Sequence, residues 1–530
     1  MELNGRRLAD GTTLSTDVCI VGAGPAGLVL AREFIGSSCD VLLLDSGGLR
    51  FDRRIQALND GPVVGDQYLG QRHTRQRQVG GTTQMWNTPV GNADGAKYVP
   101  LDPWDFSQQR DLPLSGWPFD FAHLEPYYRR AQQICGLGPF RYRGEHWCDR
   151  ETTSLQLDEP NLVTGVYQYG QGAQFTETYV REVIESHNVR LCHSATVVRL
   201  LTAGNGRRVV GLSALSRAGT SLRVEARLVV LAGGAIENAR LLLLARDSGS
   251  SRVSDPAGWT GRCFMEHPRD FAMTLFPRSR DFFREAAFYA PHRAQDGTVI
   301  CGRIALTEQA IGRARLPNAS ITLLLGSKPR LPPRGAAGRL VQRLHRAGRR
   351  QAGGFSGHLI GHLRTLAGRA SDAGYGWPRI GRPSQRLRAS RLLVNLEQRP
   401  HVDNRIVLGT SRDFLGVPRA VLHWRWRAEE QAELERLRTA VAGWFGAANL
   451  GRVEIGTGVA PDPNAHHHAG TTRMHVDPGR GVVDADGRVH GTDNLYVTGA
   501  SVFPTSGFAN PTLTITALSL RLADCLKQRN

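Results

Sequence analysis

Residues 16–48 read TDVCIVGAGPAGLVLAREFIGSSCDVLLLDSGG. A short apolar run at 18–21 meets the turn Gly22-x-Gly24-x-x-Gly27. A helical pattern follows at Leu28, Leu30, Ala31 and Phe34, and a second apolar run at 41–44 ends on Asp45. The order is strand, turn, helix, strand. Gly22 permits the tight turn, Gly24 lets the backbone approach a pyrophosphate at the helix N-terminus, and Gly27 lets helix and strand pack closely. Asp45 lies about twenty residues beyond the turn, where a carboxylate can hold ribose hydroxyls. A glycine turn of this spacing is weak on its own and is also found as a plain structural turn. With both strands, the helix and the acid present, it predicts a dinucleotide-binding unit.

Outward from this unit the texture changes several times. Residues 75–92, RQRQVGGTTQMWNTPVGN, form a loop rich in glycine and threonine. Ser115-Gly116 marks a turn, and a helix is expected from about Phe121. VRLCHSATVVRLL, RVVGLSAL and SLRVEARLVVLAGGA read as strands of a meander returning to the nucleotide-binding sheet. Between roughly 270 and 450 the strands are longer, and a helix is expected near 428–446 with Leu434, Leu437, Val441, Trp444 and Phe445 on one face. The chain closes on an apolar helix, NPTLTITALSLRLADCLK.

A chain of 530 residues exceeds one simple core and suggests two or three packed units. With 41% hydrophobic and 22% charged residues it reads as globular. No apolar run of about eighteen residues predicts a membrane span. Nor does an apolar stretch precede the first strand, so a secretory leader is not expected. The eight cysteines are scattered with no C-x-x-C pair, which fits a reducing cytoplasm and neither a zinc ribbon nor a redox dithiol. Net charge is +18, but Arg330 to Arg391 hold fourteen arginines against one acid, Asp372, and so account for thirteen of it. The excess is local. Leu340, Val341 and Leu344 beside Arg339, Arg343 and Arg346 suggest short amphipathic pieces. A cover over a substrate entrance, a subunit contact, an anionic membrane or an acidic electron-transfer partner all fit such a face. Aromatic–basic interleaving is missing, so nucleic acid is not expected.

The chemistry concentrates near the C-terminus. Residues 464–474, NAHHHAGTTRM, place three consecutive histidines beside a small-residue turn. Metal binding is awkward there, because adjacent side chains diverge and no further ligand cluster sits nearby in sequence, so no metal is expected. An expression tag would be longer and terminal. Taken in order, the Rossmann turn, VGGTT at 79–83, LAGGAIENARLLL and the stretch 466–524 closing on TGASVFPTSGFANPTLTITALSLRLAD resemble the glucose–methanol–choline (GMC) flavoprotein oxidoreductases. Within them the chain is most similar to the pyranose-oxidase and glycoside-oxidase branch. The resemblance is strongest at both ends. In the middle third it narrows to FMEHP, at Glu266-His267-Pro268, and LEQRPHVDNRIVL from Leu396.

The resemblance implies an α/β fold (α+β overall): a Rossmann-type FAD-binding domain with an inserted mixed-sheet substrate domain. It places residues 1–95, 190–270 and 454–530 in the first domain. Residues 96–189 and 271–453 fall in the second, with the arginine-rich insert at 330–391. The branch pattern H-x-x-G-T-x-R-M falls on His467, Gly470, Thr471, Arg473 and Met474, with His466 and His468 as neighbouring alternatives for the catalytic histidine. Asn510 takes the opposing position. The pair suits alcohol oxidation: a neutral imidazole accepts the hydroxyl proton while hydride leaves for flavin N5, and an amide orients the oxygen. A helix-capping role is the plainer reading of Asn510.

Further implied FAD contacts are Gly80, Gly81, Thr82, Thr83, Gly499, Ala500, Pro511 and Thr512. In the branch, a histidine that bonds covalently to flavin follows the Gly-Gly pair; here Met85 stands there, and a thioether is a poor nucleophile for that link. FAD is therefore expected to be noncovalent, with Met85 packing beside it. The implied substrate is a small-molecule alcohol, a sugar or glycoside, with Trp86, Trp424 and Trp426 as stacking candidates. A tailoring dehydrogenase for a secondary metabolite such as an aminoglycoside, or for a non-sugar alcohol, is the alternative, and a non-catalytic flavoprotein is a third. Oxygen, a quinone or a protein could each accept the electrons.

Overall fold

The computed structural model describes every residue except 91–92, 110, 150–151, 205, 248–252, 254, 326–388 and 530. The arginine-rich window thus lies almost wholly outside the described residues. Among the described residues, no helix is long and apolar enough to cross a membrane.

The first sheet has eight strands. Glu2–Asn4, Val189–His193, Val41–Leu44, Thr12–Val21 and Ser221–Leu231 run parallel in that spatial order, with Leu495–Val497 parallel to the last of these. Val209–Leu215 and Thr196–Thr202 extend the sheet antiparallel. The central strands carry unbroken apolar runs at Val18–Val21, Val41–Leu44 and Leu228–Leu231, where both faces are covered. Val18, Ile20, Val41 and Leu43 join a core with the helices Pro25–Arg32 and Thr512–Gln528, whereas Cys19, Val21, Leu42 and Leu44 join the core on the other face. The expected meander begins later than its sequence suggests. Ser194, with φ of 60°, breaks the run after His193, so Val189–His193 is a parallel member of the sheet and only Thr196–Thr202 starts the meander.

The second sheet has ten strands. Its main path runs Gly451–Ile455, Met273–Pro277, Ser390–Leu396, Ala319–Leu324, Val299–Leu306, Leu162–Gln171, Ala93–Tyr98 and Thr88–Val90, all antiparallel. One face buries Val166, Ile304, Ile321 and Val394 against Leu434, Leu437, Val441 and Phe445 of the helix Ala428–Ala447. The strand Ala93–Tyr98 crosses the 95/96 boundary expected from sequence, and Gly451–Ile455 crosses the one at 453/454. The helix Tyr179–Glu185 packs with the first sheet through Val180 and Val183. Alternating apolar residues do not say which sheet a strand joins, so these borders were not readable locally.

Candidate active site

One deep cleft runs from the ends of the parallel strands to the second sheet. Gly22, Gly24 and Asp45 line it, as do Gly81, Thr82 and Thr83 from the second loop, and Gly499, Ala500, Asn510, Pro511 and Thr512 from the C-terminal segment. His466, His467 and His468 line it as well. Gly27 and Gly80 do not line the cleft; they build it. A Cβ on Gly27 would lie 1.9 Å from the Gly22 carbonyl oxygen, which is the close helix–strand packing expected of that glycine. The Gly80 amide donates to the Ala23 carbonyl at 2.8 Å, tying the second glycine loop to the first. Gly81, with φ of 63°, brings that loop to the Cα of Gly24.

Asp45 accepts the amides of Ala23 at 2.8 Å and Gly47 at 2.7 Å and is nearly buried. Burial pushes its carboxyl above the ordinary range, against the pull of those amides and of Arg77. The open backbone at Gly24, the amino end of Pro25–Arg32 and this acid fit a dinucleotide's pyrophosphate and ribose. Arg75 and Arg77, both 2.6 Å from Glu237, also line the cleft and were not singled out from sequence.

At the other end, geometry separates the three histidines. His467 Nε2 is 3.1 Å from Asn510 Nδ2, and His467 Nδ1 is 2.9 Å from His267 Nδ1. His267 Nε2 faces the Ser506 carbonyl at 3.3 Å. A carbonyl only accepts, so His267 Nε2 carries a proton. Burial lowers the pKa of His267 to about 4, so the ring is neutral and its Nδ1 is a lone pair. His467 Nδ1 must then donate, leaving His467 Nε2 as the lone pair that accepts the Asn510 amide. Burial, then His267, then Lys97 hold the His467 pKa well below its usual value, so this imidazole is neutral as well. Asn510 makes no cap to the helix Thr512–Gln528; its side chain is spent on His467.

His468 turns away from this chain of rings. Its Nε2 meets the Tyr68 hydroxyl at 2.9 Å, and burial lowers its pKa to about 3. His466 has φ of 65°, a left-handed backbone that costs a non-glycine residue roughly 1–2 kcal/mol. Glu266 supports that turn. It is fully buried and accepts the amides of His467 at 2.6 Å, His466 at 3.1 Å and His267 at 3.0 Å, and the Tyr68 hydroxyl at 2.7 Å. Burial raises its carboxyl to about 7 despite these four donors.

Glu266 and His267, like Arg75 and Arg77, were given no role from the sequence. The only signal was FMEHP, some two hundred positions from the histidine run. The acid that seemed to be lacking beside the histidines is therefore present: Glu266, His466 and His468 bring ligand-type atoms within 4.8 Å of one another. Of the tryptophans, Trp86 lines the cleft, edge-on to Tyr98 and Phe175. Trp424 and Trp426 instead bond Gln398 and Gln431 away from it. Met85 ends the short turn Gly81–Met85 and is not among the residues that line the cleft, whereas its neighbour Trp86 is.

Two family models, each described as GMC oxidoreductase, match residues 161–268 and 400–519. The chain is 25% identical to 6'''-hydroxyparomomycin C oxidase of Streptomyces lividus, over 95% of this chain and 90% of that one. It is also 25% identical to the fructose dehydrogenase large subunit of Gluconobacter japonicus, over 97% and 98%. Among solved structures, a formate oxidase superposes with a TM-score of 0.54 at 17% identity, covering 99% of both chains; at that identity the likeness speaks for the fold. Matched by both models and similar to these relatives over nearly its whole length, the chain belongs to the GMC oxidoreductases, FAD flavoenzymes that act on CH–OH groups.

Proposed function

We propose that this flavoenzyme binds FAD without a covalent bond and oxidises a hydroxyl of a sugar or glycoside to a carbonyl, with His467 Nε2 as proton acceptor. The observation that carries the reading is the Asn510–His467–His267–Ser506 chain, which leaves His467 Nε2 unprotonated, with the Asn510 amide as the partner that a substrate hydroxyl would replace. When bound, FAD supplies the hydride acceptor. A substrate oxygen between His467 and Asn510 gives its proton to Nε2 and accepts from the amide, while its carbon loses hydride and becomes the carbonyl carbon. Buried, neutral rings and a fixed tautomer keep that lone pair available. Met85 at the position of the linking histidine supports noncovalent binding, and eight free cysteines support a reducing, cytoplasmic setting. We read Glu266, His466 and His468 as a hydrogen-bonded support and not a metal centre, because the Tyr68 hydroxyl already joins Glu266 to His468.

A second reading, oxidation of an aminoglycoside, is favoured by the relative named for 6'''-hydroxyparomomycin C. Anaerobic mixing of the holoenzyme with sugars, glycosides, aminoglycosides and simple alcohols separates the two. Flavin bleaching by sugars or glycosides supports the first reading, and bleaching confined to the amino-bearing compounds replaces it with the second.

A further inference from the structure

Lys97 lines the cleft at its catalytic end, with His467, Asn510 and Trp86. Among the described residues it has no ion pair and no side-chain hydrogen bond; its ammonium rests 4.2 Å from the centre of the Tyr167 ring. The strand register explains the company it keeps. Lys97 pairs with Tyr169, and Arg303 with Gly165, so Lys97, Tyr167 and Arg303 share one face of the second sheet, the face turned away from the helix Ala428–Ala447. Arg303 is 4% exposed, lies over Phe508 in the loop that leads to Asn510, and has no acceptor for its Nε and Nη1 groups. Its nearest carboxylate is that of Asp102, 4.0 Å away.

The cleft's own acids do not balance these cations. Among the described residues, only the acids Asp45 and Glu237 line it, and both are engaged at the nucleotide end, Asp45 by two amides and Glu237 by Arg75 and Arg77. Glu266 is buried behind the histidine turn with four donors of its own. The catalytic end therefore holds neutral imidazoles, an amide, and a lysine without a counter-charge. An unpaired ammonium in a partly desolvated cleft attracts an anion and repels a cation more strongly than it would in water.

We propose that Lys97 is a specificity-determining residue that binds a carboxylate on the alcohol substrate, so that the preferred substrates are sugar acids or their glycosides. This rests on the reading of the cleft as an alcohol-oxidising site. A carboxylate suits the position better than a phosphate: one lysine offers a single point charge, with neither the arginine fork nor the backbone amides that phosphate sites use. Polycationic aminoglycosides meet the wrong sign of charge here. The field of Lys97 also bears on His467, adding to the burial that keeps that ring neutral.

The experiment compares the wild-type holoenzyme with Lys97→Met and Lys97→Arg. In the first arm, acetate is titrated against chloride at constant ionic strength, and the absorbance of the bound flavin reports binding with no turnover. Wild type should bind acetate at least tenfold more tightly than Lys97→Met, with Lys97→Arg close to wild type. In the second arm, matched pairs that differ only in a carboxylate, such as a methyl glucoside and the methyl glucuronide, are compared for rates of anaerobic flavin reduction. The preference for the acidic member should fall at least tenfold in Lys97→Met. Equal acetate binding by wild type and Lys97→Met, or an unchanged preference in the pairs, overturns the proposal. Because acetate binding needs no oxidation, lack of flavin reduction by every alcohol would count against the alcohol-oxidising reading alone.

Discussion

In the proposed reaction His467 accepts the proton and Glu266 holds the turn that carries it, and only the first of these roles was expected from the sequence. His467 and Asn510 were legible because each sits in a short local pattern. Glu266 and His267 act through a fold that carries them across two hundred residues, and no spacing in the chain anticipates that. The carboxyl of Glu266 ordinarily titrates at 4.5, and burial raises it to about 7. Between those values the folded chain holds a proton that the unfolded chain has released, so this group's contribution to stability falls as pH rises through that window. Its effect on the reaction has the opposite sign. The carboxylate is the stronger acceptor for the His466 and His467 amides, so flavin reduction should quicken as pH rises through about 7. The lowered pKa of His467 places its own titration well to the acid side. In Glu266→Gln the limb near 7 should vanish, and losing a charge-assisted buried hydrogen bond should slow reduction roughly tenfold or more. A limb of unchanged position in that variant, measured by stopped-flow from pH 5.5 to 9 (on the order of one Glu titration range either side of 7), assigns it to another group.

At the scale of elements, the strand–turn–helix opening was fully legible, since parallel strands covered on both faces show as unbroken apolar runs. The break at Ser194 was not, because a single left-handed residue leaves no mark inside a run that reads as one strand. Sheet membership of Ala93–Tyr98 and Gly451–Ile455 was equally hidden. Gly27→Ala puts a methyl group 1.9 Å from a backbone oxygen that cannot swing aside, so helix and strand must part. Overpacking of this kind costs about 1–3 kcal/mol, and both melting temperature and flavin retention should fall. Normal flavin retention would show that the turn tolerates the wider spacing. Arg438 fixes the helix Ala428–Ala447 to Asp270, two bonds of 3.0 and 2.8 Å between side chains that are almost wholly buried. Arg438→Met leaves that aspartate buried without its main partner and should lower unfolding free energy by about 3–5 kcal/mol in a denaturant titration. A change under about 1 kcal/mol would mean that water replaces the arginine.

At the scale of the whole molecule, segments far apart in the chain meet in one cleft, among them the opening Rossmann unit, the glycine–threonine loop, and the C-terminal stretch whose helix Thr512–Gln528 starts at its wall. Acid precipitation should release FAD into the supernatant, since Met85 cannot form the family's histidyl link; colour kept in the pellet would show a bond at some other residue. The account stands or falls on His467. Mixed without oxygen with an alcohol that bleaches the wild-type flavin, the His467→Ala holoenzyme should keep its FAD yet be reduced at least about a hundredfold more slowly, the usual worth of a general base. Reduction of His467→Ala at the wild-type rate, with the large loss found instead in His466→Ala or His468→Ala, would contradict it.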